Sequence, residues 1–284
     1  MAVQQERLEA LAVRLRDLSK EIVAEGGGDL SPAKGARVRR TITEAYDRLR
    51  EVVESLDPVK QPDFVFDPTN PNVAGRIAGI TLIAQEKRPL ADVGKFYGSG
   101  VYALYYSGPH PAYSPISKTE HPIYVGKADP EDPASATAMQ QGNRLASRLG
   151  EHRKTIIKAS ATLDVNDFRC RALVVKSGWQ SSAEEHLIRL FRPIWNSEMR
   201  ICFGFGKHGD APDTRANLRS PWDTLHPGRD WAHRTPSAKD AKPIKDAKPE
   251  SKILAEISQH FADYRPLGAV AEIVERFLAE MREA

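Results

Sequence analysis

Residues 98–108 read GSGVYALYYSG, a run of strand-forming residues fenced by glycine at both ends. Side chains alternate along a strand, which puts Tyr102, Leu104 and Tyr106 on one face and Val101, Ala103 and Tyr105 on the other. A second segment, HPIYVGK at 121–127, repeats the theme with Tyr124, Gly126 and Lys127. Pairing the two strands can bring Tyr102 and Tyr124 side by side. Taken singly, each tyrosine reads as half-buried sheet packing, because aromatics favour strands. Gly100 and Gly126 weigh against that reading, since glycine in or beside a strand marks close approach by another backbone or a ligand.

The rest of the chain organises around these strands. Leu8, Leu11, Leu15, Leu18 and Ile22 recur at three- and four-residue steps, the pattern of an amphipathic helix. Gly26, Gly27 and Gly28 end it, and Ser31 and Pro32 start another carrying Val38, Ile42, Tyr46, Leu49 and Val53. The two predict an N-terminal helical hairpin over 1–60, whose stripe must be buried on the main domain or on another subunit. A connecting segment, 61–96, opens with QPDFVFDPTNPN and continues as a helix over 73–86. Further on, 138–158 and 182–192 read as helices and 166–176 as a strand. DAKPIKDAKP at 240–249 predicts a solvated, semi-extended linker, 234–250. Beyond it, Ile253, Ile257 and Phe261, then Val270, Ile273, Val274, Phe277 and Leu278, mark two amphipathic helices, a C-terminal add-on over 251–284.

Composition excludes several classes. Cys170 and Cys202 are the only cysteines, without metal-ligand spacing, so neither a zinc site nor a disulfide framework is expected. Charges run through the N-terminal segment, which has no signal-peptide character, and no apolar run reaches a membrane span. A soluble, cytoplasmic protein is expected. The net charge of +3 says little, but 141–160 carries five Lys/Arg against one Glu. That stretch is either a phosphate-binding surface or a solvated helix face.

Three further residues carry chemistry. Arg148 and His152 are four apart and share a helix face with Leu145, Leu149 and Ile156. An arginine one turn from a histidine suits a site that binds an anion and moves a proton. Glu184 precedes Leu187, Ile188 and Phe191 at helical spacing, so its carboxylate starts a buried stripe and needs a cation or a metal ion. Glu185 points elsewhere, into solvent. Pro193 ends that helix, and Trp195 and Asn196 turn the chain back.

Together these residues resemble the GIY-YIG nuclease superfamily, with GVY at 100–102 and YVG at 124–126 standing for its two triplets. The chain is more specifically similar to the GIY-YIG type II restriction endonucleases, the branch cutting a GC-rich palindrome. The shared wording is GVYALYY, PIYVGKA, RLGEH, DFRCR, PIWN, GFG and SPWDTLHPGRDWA, spread over 97–232. Valine replaces isoleucine in both triplets. KHGDAPDTR at 207–215 is less glycine-rich than the family's loop, so no base-contacting residue is carried over from it.

The resemblance implies an α+β fold, a small antiparallel β-sheet flanked by helices, with the nuclease domain at 97–233. It implies hydrolysis of DNA phosphodiesters with one divalent metal, Mg²⁺ or Mn²⁺, held by Glu184. Tyr102 would act as general base, with His152 or Lys127 accepting its proton, because a phenol of pKa ~10 is a weak base unaided. Tyr124 would orient water or phosphate, Arg148 would stabilise phosphate charge, and Asn196 would fix geometry or contact phosphate. Double-stranded DNA is the expected partner, bound by a homodimer because a palindrome needs two sites related by a two-fold axis. A cognate DNA methyltransferase would act on the same sequence without stable binding. The alternative on the same fold is a homing or repair nuclease; those usually append a separate DNA-binding or second nuclease domain, and the tail is too short for a second nuclease, which counts against repair. A non-cleaving DNA-binding protein on the same fold would not need Tyr102, Arg148 and Glu184 together.

Overall fold

The computed structural model describes residues 2–26, 30–59, 66–206, 218–233 and 244–282. KHGDAPDTR, the 234–243 part of the expected linker, and parts of the glycine turn and the 61–96 connection lie outside these residues. The chain divides into two compact units, Met1–Val65 and Phe66–Ala284. The first contains α1 (Ala2–Glu25) and α2 (Pro32–Leu56), the second with a proline in its first turn. Both stripes named above remain exposed, from Leu8 and Leu18 to Ile42 and Val53.

The second unit holds an antiparallel four-stranded sheet in the order β1-β4-β2-β3. Its strands are β1 (Arg88–Pro89), β2 (Gly100–Tyr106), β3 (Tyr124–Ala128) and β4 (Phe168–Val174). Every residue of β2 is buried. Two apolar clusters explain this, and they follow the strand's alternation. Tyr102, Leu104 and Tyr106 belong to one, Val101, Ala103 and Tyr105 to the other. α4 (Arg144–Lys158) packs its Leu145, Leu149 and Ile156 into the first cluster. It starts later than the 138 predicted, because Gln141 is spent on bracing the sheet. Its side chain accepts from Ser99 N and donates to Val175 O, tying the start of β2 to the end of β4.

α5 (Gln180–Phe191) packs Leu187, Ile188 and Phe191 into the second cluster beside α3 (Pro71–Ile83). The two helices cross closely: a Cβ on Gly75 would overlap the backbone of Ser182, and one on Gly79 would overlap His186. α3 was expected to be a connection outside the nuclease domain; its Leu82 and Ile83 lie in the core.

The tail departs from the add-on expectation in the same way. α8 (Glu250–Asp263) buries Ile253 and Ile257 in the first cluster, and α9 (Val270–Arg282) buries Ile273 in the second. Before them, β6 (Lys245–Asp246) pairs in parallel with β5 (Leu218–Arg219), so this end of the expected linker is stitched down. The amphipathic spacing was sound; the surface it covers is the nuclease core itself. Two short helices, α6 (Pro221–Leu225) and α7 (Asp230–His233), complete the unit. Among the described residues no helix is long and apolar enough to cross a membrane.

Candidate active site

The register of the sheet decides where Tyr102 points. It pairs with Gly126 across β3, and a Cβ on Gly126 would overlap the Tyr102 hydroxyl. Gly100, at φ +153°, is likewise crowded by the backbone of β4. Both glycines therefore admit the protein's own atoms. Of the two readings, close approach by a ligand is corrected by this packing in favour of the protein's own chain, since Tyr102 is 0% exposed.

The phenol instead meets a histidine. Tyr102 Oη lies 2.6 Å from His152 Nε2, which reaches down from α4. Tyr124, two residues before Gly126 on the same face, stands beside both rings, 6.2 Å from that of Tyr102 and 5.2 Å from that of His152. One turn before His152, Arg148 donates from Nη2 to Gly206 O over 2.8 Å and pairs through Nη1 with Glu151 at 3.0 Å. Tyr124, Lys127, Arg144, Arg148, Glu151 and Glu184 line a cavity of about 420 Å³. A groove of about 630 Å³ near Phe96, Leu149 and Cys170 is larger but is lined mainly by apolar groups around its floor. Chemistry, not size, singles out the smaller one.

Burial sets the protonation states here. It pushes the Tyr102 hydroxyl well above the usual phenol value; neighbouring Tyr124 adds to this and Arg148 opposes it. Tyr124 is raised for the same first reason. Burial also pushes the Glu184 carboxyl up to about 7, against the pull of Lys127 and with help from Glu198 and Asp129. Glu185, the next residue, is exposed.

Lys127 sits on the opposite strand parity from Tyr124 and Gly126. Its ammonium donates to Ser181 Oγ at 2.7 Å and lies 3.5 Å from Asp129. The structure thus brings His152, not Lys127, to the Tyr102 hydroxyl. Asn196 is buried, and its amide accepts from Val125 N at 2.9 Å and donates to Val125 O at 2.8 Å. That side chain is tied to β3 at both ends of its amide.

A half-buried carboxylate, raised by desolvation and among the described residues without a salt bridge, fits a divalent cation. Among the described residues no cluster of three His, Cys, Asp or Glu side chains could hold a metal. Glu184 would therefore be the principal protein ligand, leaving positions for water and phosphate oxygens, as a hard oxygen-seeking ion prefers.

A family model described as the Eco29kI GIY-YIG domain matches residues 94–261, more than half of the chain. The chain belongs to that family. Eco29kI-type proteins are type II restriction endonucleases, phosphodiester hydrolases, so this chain is a restriction-type nuclease that acts on DNA. GIY-YIG restriction endonucleases generally use divalent metal ions, in keeping with the half-buried Glu184 carboxylate. The match runs to Phe261, so in the Eco29kI family α8 belongs to the domain, as its packing requires. No curated protein matches the chain.

Sequence reasoning gave no role to Phe205 and Gly206, which close the site from above. Phe205 stacks on His152 with ring centroids 4.5 Å apart and planes 18° apart. A Cβ on Gly206 would lie 2.5 Å from the Tyr124 hydroxyl. The GFG triplet stands among the shared wording, but nothing local in it points to His152.

Proposed function

We propose that the protein is a site-specific endonuclease of a restriction–modification system, cutting both DNA strands at a short GC-rich palindrome with one Mg²⁺ or Mn²⁺ per active site. The observation that carries this reading is the arrangement around the cavity: Arg148 and Glu184 line it, and the buried Tyr102–His152 pair lies behind its Tyr124 wall. Arg148 binds the scissile phosphate with its planar donors. Tyr124, at the cavity wall, orients the attacking water. A proton leaves that water for the Tyr102 oxygen while the Tyr102 proton passes to His152 Nε2. The water oxygen bonds to phosphorus and the P–O3′ bond breaks. Because burial disfavours a free phenolate, Tyr102 works as a relay and not as a preformed anion. The metal held by Glu184 would supply charge stabilisation at the leaving oxygen.

Two such sites related by a two-fold axis are needed to cut a palindrome, so the working form is a homodimer, and the exposed stripes of α1 and α2 offer a self-complementary surface for it. A DNA methyltransferase acting on the same sequence would protect the host.

The test is cleavage of supercoiled plasmid with and without Mg²⁺. Glu184→Gln is expected to abolish cleavage while retaining DNA binding, and Glu185→Gln is expected to cut like the wild type. Metal-dependent cutting by Glu184→Gln would overturn the assignment.

A further inference from the structure

One buried charge pair lies outside the chemistry above. Arg229 and Asp223 are 3% and 0% exposed, and Arg229 Nε donates to Asp223 Oδ1 over 2.6 Å. A buried ion pair adds little net stability over a well-packed apolar pair, so its position matters more than its existence. The second carboxylate oxygen of Asp223 accepts from Ser220 Oγ at 2.6 Å. The rest of the guanidinium is aimed at the segment before Lys207: Nη2 donates to Gly204 O at 3.0 Å and Nη1 to Phe205 O at 3.3 Å. Gly204, at φ +111°, is a left-handed position where any Cβ would overlap Ser220.

This strap is the one that covers the site. Phe205 stacks on His152 and contacts Tyr124 edge-on at 5.1 Å, and Gly206 O takes the Arg148 proton donor. The other end of the connection is anchored on the same helix. A Cβ on Gly228, beside Arg229, would overlap Lys158 O at the end of α4. The chain is therefore seated against α4 at Gly228, and the adjacent Arg229 holds, through the strap, two side chains that α4 projects earlier in its length.

We propose that Arg229, locked by Asp223, is a positioning residue for cleavage: it fixes the 204–206 strap, whose Phe205 ring sets the His152 plane and whose Gly206 carbonyl aims Arg148. The inference rests on the assignment of Arg148 and His152 to catalysis. Misplacing such groups by about 1 Å costs on the order of 100-fold in rate.

The experiment uses the full chain, supercoiled plasmid and Mg²⁺, with enzyme in excess. The variants are Arg229→Lys and the neutral pair Asp223→Asn with Arg229→Gln, which leaves no orphaned charge. The maximal rate per folded molecule is expected to fall about 10- to 100-fold, with the half-saturating enzyme concentration unchanged. The pH–rate profile is expected to shift because the His152 ring is no longer held. Phe205→Leu leaves the ion pair intact and is expected to show the same split, which covers the case in which the Arg229 variants fail to fold. Wild-type maximal rates in the folded variants, or a change confined to half-saturation, would overturn the inference. Arg148→Ala separates the two readings. If it cuts normally, the site assignment has failed; if it is inactive while the strap variants cut normally, only the positioning role has failed.

Discussion

Among the described residues the unit contains two buried tyrosine–histidine pairs, and they stand in different surroundings. Tyr102 Oη meets His152 Nε2 at 2.6 Å; Tyr113 Oη meets His226 Nε2 at 2.5 Å. Both phenols are pushed well above their usual range by burial. The second pair is closed on every side. Trp195 Nε1 donates to Tyr113 Oη at 3.0 Å, and Thr162 Oγ1 sits 2.9 Å from His226 Nδ1, with His110 stacked on the phenol. The first pair has Arg148 beside it and Tyr124 between it and a cavity carrying Glu184. A short O–H···N contact alone is thus no sign of catalysis. On the proposed mechanism, access and a neighbouring charge convert a core polar network into a proton path.

The difference can be broken from the structural side first. α8 packs against α6 and against the 3₁₀ turn Pro111–Tyr113, roofing the second pair. Truncation after residue 234 removes that roof and the Ile253 and Ile257 side chains. The sequence alone predicts a folded, cutting remnant; the packing predicts loss of soluble expression, checked by yield and circular dichroism.

Next comes the pair proposed to move the proton. Tyr102→Phe and His152→Ala are each expected to slow single-turnover cleavage by about 10²- to 10⁴-fold. The double variant is expected to be little worse than the poorer single, as for groups acting together. Additive losses would separate them into independent roles.

Tyr113→Phe should do the reverse. It strips partners from His226 and Trp195, at a cost of about 1–3 kcal/mol in stability by denaturant titration. Cleavage per folded molecule is expected to stay within a few-fold of wild type. A large rate loss would erase the distinction between the pairs.

The smallest effect concerns Glu184. Its carboxyl is raised from the ordinary value to about 7, so the fold favours the protonated form. That preference stabilises below the unfolded value near ~4.5 and is lost as pH rises through about 7. Without metal, Glu184→Gln is therefore expected to raise the melting temperature at pH 8 by the equivalent of on the order of 1 kcal/mol. The gain should disappear by about pH 4.5 and shrink when wild type is given Mg²⁺. A destabilised variant at pH 8 would mean that the carboxylate is satisfied by the protein.

The two faces of β2, the i,i+4 placement of Arg148 and His152, and the buried start of α5 were legible because each depends on local periodicity alone. What periodicity cannot supply is the partner surface. The stripe of Ile253 and Ile257 announces a covered helix without naming the nuclease core as its cover. Lys127 became distinguishable from His152 only through the register that sets Tyr102 opposite Gly126, which places the lysine on the other parity. The Phe205 stack on His152 joins residues far apart in sequence and leaves no local trace. Gly100 and Gly126 did signal close approach, but from sequence a ligand and a neighbouring tyrosine demand the same missing Cβ.

β2 is hydrogen-bonded on both sides, by β3 and β4, and covered on both faces. Local fluctuation has no edge from which to peel this strand. Its amides should exchange with solvent only through global opening, at the slowest rate in the chain. Tyr102, the proposed proton relay, is thereby tied to the most cooperative part of the molecule. Partly unfolded forms, with tail or helices adrift, retain the strand but lose the geometry around it, so cutting competence switches on only with the complete native state. If the proposed restriction–modification role holds, so that the substrate includes any unprotected chromosome, the sheet's topology doubles as a safeguard during synthesis and decay.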